Sequence, residues 1–251
     1  ATPPAGRSST VVSNRNLIRR FLREQVRAPA VLVGNSMGGF LSLLTAAREP
    51  ALVEGLVLVC AALPLDLRTK LDPVVTCQFA LYLVPGLAEG FLRWRHRRLG
   101  PEGVLEEMME LCSVDRSRIR QEVYDEHLKM ARERFELDHA RPVFLEAARS
   151  LVPLLWRRSQ LEALIRRVQA PALIVQGAKD RLAPVGGARR LVKLRPDWAL
   201  EVFDDLGHVP QLEDPDRFLQ VVGRWLEALP SRDAPRIETS QAWAEAATRE
   251  R

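Results

Sequence analysis

Cysteine is scarce in this 251-residue chain: Cys60, Cys77 and Cys112 are all there are. An odd number without zinc-site spacing excludes a disulfide framework and supplies no metal cluster. The expectation is reduced thiols and a cytoplasmic setting, with Cys60 a buried residue at the end of an apolar run. Lysine is scarcer than arginine, at Lys70, Lys129, Lys179 and Lys193 only, so arginine carries most of the net charge of +5. The basic residues are scattered among acids, and aromatics make up only 6% of the chain. No aromatic-interleaved basic stripe results, which excludes nucleic acid as a partner and leaves a solvated arginine-rich surface. Residues 1–9 lack the apolar core of a secretory leader. An uninterrupted apolar run long enough to span a bilayer is also missing. The best candidate, residues 73–92, is broken by Pro85, Gly86, Glu89 and Gly90. It reads as a buried or substrate-facing helical hairpin, and contact with a membrane surface is its other reading.

What is present is a hydrophobic fraction of 47%, enough for a packed core in one large domain or a core domain with an insertion. Within it, Val31-Leu32-Val33-Gly34-Asn35-Ser36-Met37-Gly38-Gly39-Phe40 carries a G-x-S-x-G signature. An apolar, β-branched run enters the serine and a helix-forming stretch, residues 40–48, leaves it. That is the context of a nucleophile elbow, a strained strand-to-helix turn that points the hydroxyl away from the protein. Side chains two residues before or after Ser36 are expected to collide, so glycine is expected to be required at both Gly34 and Gly38.

Leu17, Ile18, Phe21, Leu22 and Val26 recur at helical spacing and predict an amphipathic helix ending before Pro29. Short apolar runs predict buried strands over 31–33, 55–60, 171–176 and 199–203. A helix is expected over 186–194, and a last one from Asp214-Pro215 through Trp225 and Leu226, capped by Asp214. Buried strands alternating with amphipathic helices imply an α/β fold, a mostly parallel sheet with helices on both faces. The rhythm breaks between about 65 and 168, where helical patterns occur without a convincing strand. The expected organisation is a core of 1–64 and 169–230, an inserted helical cap of 65–168, and a tail of 231–251.

A serine hydroxyl needs a base, so a histidine is required. His96 lies in an arginine run, and His127 and His139 lie in charged helical stretches, where exposed positions are the simpler reading. His208 follows the fourth strand in Asp205-Leu206-Gly207-His208-Val209-Pro210-Gln211. A parallel sheet puts such loops at the same end as the elbow. The histidine needs a carboxylate to hold its tautomer. Asp180, in Gly177-Ala178-Lys179-Asp180-Arg181 just beyond the third strand, is the best candidate. Asp204 and Asp205 are alternatives at a strand end, read as facing solvent.

With these motifs in place, the chain resembles the α/β-hydrolase family. The resemblance is carried by the Gly34–Gly38 elbow, the Gly177–Arg181 turn and the run Gly207-His208-Val209-Pro210-Gln211-Leu212-Glu213-Asp214-Pro215, in serine–acid–histidine order. It implies Ser36 as nucleophile, His208 as proton shuttle, Asp180 as its partner and the Met37 N–H as one oxyanion donor. The family's second donor follows an earlier strand, and no matching motif precedes Ser36. Ala5-Gly6-Arg7-Ser8-Ser9 looks like the remnant of a Gly-x-Gly-x-Ser turn. The expectation is therefore a fold lacking its N-terminal strands, with an open apolar edge and an oxyanion hole one donor short.

Serine at position 36 argues against the aspartate-dependent branches of the family. The first expectation is hydrolysis of a carboxylic ester or related acyl substrate, small and apolar, without metal or organic cofactor. Phe79, Leu81, Tyr82, Leu83, Val84, Leu87, Phe91 and Trp94 either shape its pocket or pack the cap on the core. The elbow also resembles that of the meta-cleavage-product hydrolases, which cut carbon–carbon bonds. Those usually have tryptophan after the histidine, where this chain has Val209. A non-catalytic binding protein of the same fold is the reading from another class. Nothing in the sequence sets the oligomeric state.

Overall fold

The computed structural model describes residues 7–64 and 71–229. The start of the expected cap, at 65, the tail from 231, and Ala5 and Gly6 lie outside them. Helix α1 (Val11–Phe21) starts at Thr10, whose side chain accepts from the Ser13 N–H. It continues as one π-helical turn over Leu22–Val26 and stops at Arg27, at φ 57°. Strand β1 (Ala30–Asn35), helix α2 (Met37–Arg48) and strand β2 (Val53–Val59) follow as a parallel crossover unit. Strand β3 (Ala172–Gly177), helix α8 (Val185–Leu194) and strand β4 (Ala199–Phe203) form a second one.

Between β2 and β3 lie α3 (Pro73–Tyr82), α4 (Leu87–Cys112), α5 (Gln121–Phe135), α6 (Ala140–Trp156) and α7 (Arg158–Ile165). Helix α4 breaks at Gly100, at φ 66°, where Pro101 removes a backbone donor. A short helix, α9 (Pro210–Glu213), occupies what the sequence reads as plain loop, and α10 (Pro215–Glu227) follows with Asp214 accepting from the Arg217 N–H.

The described sheet is parallel throughout, in the order β1-β2-β3-β4. Alternation along the central strands sends side chains to two cores. Leu56 and Leu58 of β2 and Ala172 and Ile174 of β3 pack with Leu43, Ala188, Leu191 and Trp198 on one face. Val57, Val59, Leu173 and Val175 pack with Phe218, Val221 and Val222 of α10 on the other. Each buried Val, Leu, Ile or Phe among them contributes about 1.5–3 kcal/mol, so β2 and β3 anchor the molecule. Strand β1 is an edge of the described sheet, and Val33 on it is 57% exposed.

Candidate active site

The carboxyl ends of β1, β3 and β4 each deliver one side chain. Strand β1 ends at Asn35 and α2 begins at Met37, which leaves Ser36 alone between them at φ 55°, ψ −119°. A non-glycine residue there costs about 1–3 kcal/mol, and its neighbours must hold it. The Ser36 N–H donates to the Val59 carbonyl at 3.0 Å, and the Ser36 carbonyl accepts from Phe40 and Ala62 at 3.2 and 3.0 Å. A Cβ on Gly34 would stand 2.5 Å from the backbone of Gly38, so the expected need for glycine is met at Gly34. At Gly38 the expectation is corrected, because a Cβ there meets nothing within 4 Å. The crowded partner is Gly39, whose Cβ would come 2.7 Å from Ala61 Cβ and 2.8 Å from the Gly34 carbonyl. In the first turn of α2, position 39 faces β1 and the end of β2, while position 38 faces open space.

Asp180 follows β3 and is 6% exposed. Its Oδ1 accepts from the N–H groups of Leu182 and Ala183, both at 2.8 Å. Its Oδ2 lies 2.8 Å from His208 Nδ1 and accepts from Gln176 Nε2 at 3.2 Å. Gln176 is itself buried, and its amide also reaches the Ala183 carbonyl at 2.8 Å. With both carboxylate oxygens occupied, one face of the His208 ring is fixed in direction. Nδ1 carries the hydrogen of that bond when Asp180 is ionised, which leaves Nε2 to accept.

His208 is 4% exposed, in the loop between β4 and α9. Its N–H donates to the Cys112 carbonyl at 2.7 Å, at the end of α4. Its carbonyl accepts from Asn35 Nδ2 at 3.0 Å, and that same amide donates to the Val59 carbonyl at 3.1 Å. Asn35 thus ties the elbow to the histidine loop, a role the sequence reading did not assign it. Glu213 was missed too. It is 4% exposed, and its two oxygens accept from the N–H groups of Gly207 and Val114, each at 2.7 Å. A buried carboxylate thereby clamps the histidine loop to the residues just past α4. An acid five residues after a loop histidine was the available signal.

Cys60 is a buried core residue, as expected, and it also belongs to this neighbourhood. It sits at φ 43°, with Sγ 3.5 Å from the Gly207 carbonyl and from the Gly177 nitrogen. Burial and the Asp180 charge push its thiol well above the ordinary range, so it stays protonated. Sequence spacing offers no metal cluster, yet the fold gathers ligand atoms of Cys60, Asp180 and His208 within 4.8 Å of one another. The Cys60 sulfur and the atoms of the Asp180–His208 pair already have hydrogen-bond partners within the protein.

The other candidates lie elsewhere. His96 stacks on Phe135 beside Arg141, and burial and that guanidinium lower its pKa. His127 Nδ1 is 2.7 Å from the Val123 carbonyl of its own helix, and His139 precedes α6. Asp205 is paired with Arg118 at 2.7 Å and Arg217 at 2.9 Å, and Asp204 is exposed.

Ser36 and His208 face one cavity of about 250 Å³. Its walls are apolar side chains from α3 and α6, among them Val75, Phe79, Leu151 and Leu155. Arg181 reaches the rim, where its Nε donates to Asp72 Oδ2 at 2.8 Å. Met37 opens α2, whose first-turn N–H groups have no partner within the helix.

A serine on a strained strand-to-helix turn, a buried acid–histidine pair and a parallel sheet define a hydrolase-type α/β protein, and a family model described as the alpha/beta hydrolase fold matches residues 7–215. The chain belongs to that family. It is similar to the pimeloyl-[acyl-carrier protein] methyl ester esterase of Chromobacterium violaceum, 29% identical over 199 residues that cover 79% of this chain and 70% of the relative. It is similar also to the 2-hydroxy-6-oxo-2,4-heptadienoate hydrolase of Pseudomonas putida, 30% identical over 204 residues, 78% of this chain and 63% of the relative. Among solved structures, a thermophilic esterase from Thermogutta terrifontis superposes with a TM-score of 0.62 at 22% identity, over 89% of this chain and 74% of that one. This last likeness speaks to the fold alone.

Proposed function

We propose that this chain is a serine hydrolase that cleaves an apolar carboxylic ester through Ser36, His208 and Asp180. His208 Nε2 takes the Ser36 proton as Oγ attacks the carbonyl carbon, and returns it to the departing alcohol. Water then attacks the acyl-serine by the same route and releases the acid. Asp180 orients the imidazole and stabilises its charged form, and the Met37 N–H donates to the developing oxyanion. The reading rests above all on the buried 2.8 Å contact between His208 Nδ1 and Asp180 Oδ2, beside a strained serine that faces the same cavity as His208.

Carbon–carbon hydrolysis is the second reading, favoured by the likeness to the heptadienoate hydrolase. A dienoate brings a carboxylate that needs a cation in the pocket. Among the described residues Arg181 is the cation at the cavity, and Asp72 already engages it. An uncharged ester suits these apolar walls better. The test is labelling with a fluorophosphonate probe, followed by turnover of a nitrophenyl ester against a ring-fission dienoate. Labelling at Ser36 that is lost in Ser36→Ala, together with ester turnover, is the expected result. A folded protein that neither labels nor turns over an ester refutes it, and preference for the dienoate selects the second reading.

A further inference from the structure

We propose that the corner between α3 and α4 docks on an anionic lipid surface. Residues 73–88 carry no charged side chain, yet much of this stretch faces water. Val74 and Leu87 are each 63% exposed, Val84 43% and Leu83 38%. The opposite side of the corner is packed, with Tyr82, Ala88 and Leu92 set against Leu145 and Ala148 of α6. At the corner itself Leu83, Val84 and Leu87 lie close in sequence and nothing in the described chain covers them, and clustered apolar exposure of this kind marks an interaction site.

The charge beside it selects the partner. Leu87, Trp94 and Arg98 recur at helical spacing and share one stripe of α4. Trp94 is 55% exposed, and the Arg98 guanidinium lies 5.8 Å from its ring. Arg93 and Arg97 are exposed on the same turns, and neither they nor Arg98 form an ion pair among the described residues. The acids nearby are engaged elsewhere, Asp72 with Arg181 and Glu89 with Arg149. Apolar side chains, a tryptophan and unpaired arginines match the acyl boundary and phosphate layer of an anionic leaflet. A second copy docking by the same face would set one row of arginines against the other. The contact is peripheral. Among the described residues no single helix is long and apolar enough to cross a bilayer, and α3 and α4, which reach that length and apolarity only when taken together, bend by 116° at this corner.

Docking here has a consequence for substrate, and that part rests on the hydrolase reading. Leu83 is both exposed at the corner and part of the cavity wall, along with Val75, Thr76 and Phe79 of α3. A lipophilic ester held in the leaflet would thus lie next to the wall that separates it from Ser36.

The experiment is flotation of the full chain with vesicles of phosphatidylcholine alone or mixed with phosphatidylglycerol. The chain is expected to float with the mixed vesicles, less so as salt rises. Leu87 and Trp94, expected from the sequence to shape the pocket or pack the cap, are exposed and do not line the cavity. Arg97→Glu/Arg98→Glu and Leu87→Glu/Trp94→Glu should each weaken partitioning by about tenfold or more, while both variants keep a native circular dichroism spectrum and turnover of a soluble nitrophenyl ester. Ser36→Ala should float like the parent chain, so loss of catalysis and loss of docking are read separately. Failure of the parent chain to float overturns the proposal. Undiminished flotation of both double variants also overturns it, as does a dimer that Leu87→Glu dissolves without any vesicle binding.

Discussion

The sheet-end loops and the helices that cover them are held by different kinds of bond. Around Ser36, Asp180 and His208 the contacts are buried or part-buried and mostly involve the backbone. Asp180 alone accepts two N–H groups and faces two side-chain nitrogens. Across the helical stretch the polar contacts are exposed or half-buried ion pairs, such as Arg132–Glu102, Arg95–Glu107 and Arg149–Glu89. Buried hydrogen bonds are costly to break and insensitive to salt, whereas exposed pairs are weak and screened. The chemistry thus stands on the part of the molecule least able to move. The helices that cover the site present apolar side chains to the cavity and carry these weaker ion pairs away from it.

The sharpest way to break that comparison is at Asp180. Asp180→Asn keeps the shape of the carboxylate but presents an amide to His208 Nδ1, Leu182 N–H and Ala183 N–H. The imidazole then has no acceptor to hold its proton on Nδ1. Ester turnover should fall by about 10⁴-fold. A loss of less than about tenfold in a folded variant would mean that another group supports His208.

Glu213 tests the seam between the two regions. Glu213→Ala leaves the N–H groups of Gly207 and Val114 without their acceptor, at roughly 1–3 kcal/mol for each donor stranded. Glu213→Gln keeps one carbonyl oxygen and turns an NH₂ toward the other donor, so its effect should be intermediate. Denaturant midpoints at constant slope provide the measurement. Turnover should fall along with stability, because the clamp sits one residue before His208. If Ala lowers the midpoint and the isosteric Gln does not, the side chain is acting by its volume and not as an acceptor for both N–H groups.

Much of the core was legible because parallel strands buried on both faces read as unbroken apolar runs. The run at 199–203 matches β4 residue for residue, and those at 31–33, 55–60 and 171–176 fall within one or two residues of β1, β2 and β3 at one end or both. His208 and Asp180 were legible as loop residues following strands, where a parallel sheet collects its ligands. Other features required convergence of distant segments, which a one-dimensional pattern does not carry. Glu213 meets Val114 across 99 residues, Cys60 meets Gly207 across 147, and Asn35 meets His208 across 173. The elbow glycines show the same limit at short range. The motif spacing pointed to Gly38, but the direction of the α2 turn puts the crowding at Gly39.

The weakest expected effect lies at the α3–α4 corner. Arg149 donates to Glu89 at 2.8 Å and to the Tyr82 carbonyl at 2.9 Å, and Glu89 accepts the Gly86 N–H at 2.6 Å. The Arg149 hydrogen bond, with help from the backbone donors, holds the Glu89 carboxyl down from its ordinary 4.5 to about 2. A carboxyl depressed in the folded state stays ionised where the unfolded chain takes up a proton. Its contribution is therefore present above about 4.5 and drains away as pH falls through about 2. Glu89→Gln should then melt slightly below the parent chain at neutral pH, and the gap should close as the solution is acidified across that window. A gap that persists unchanged through the window would assign the corner's rigidity to packing of Tyr82 and Ala88 against α6. The charge at position 89 would then contribute nothing to it.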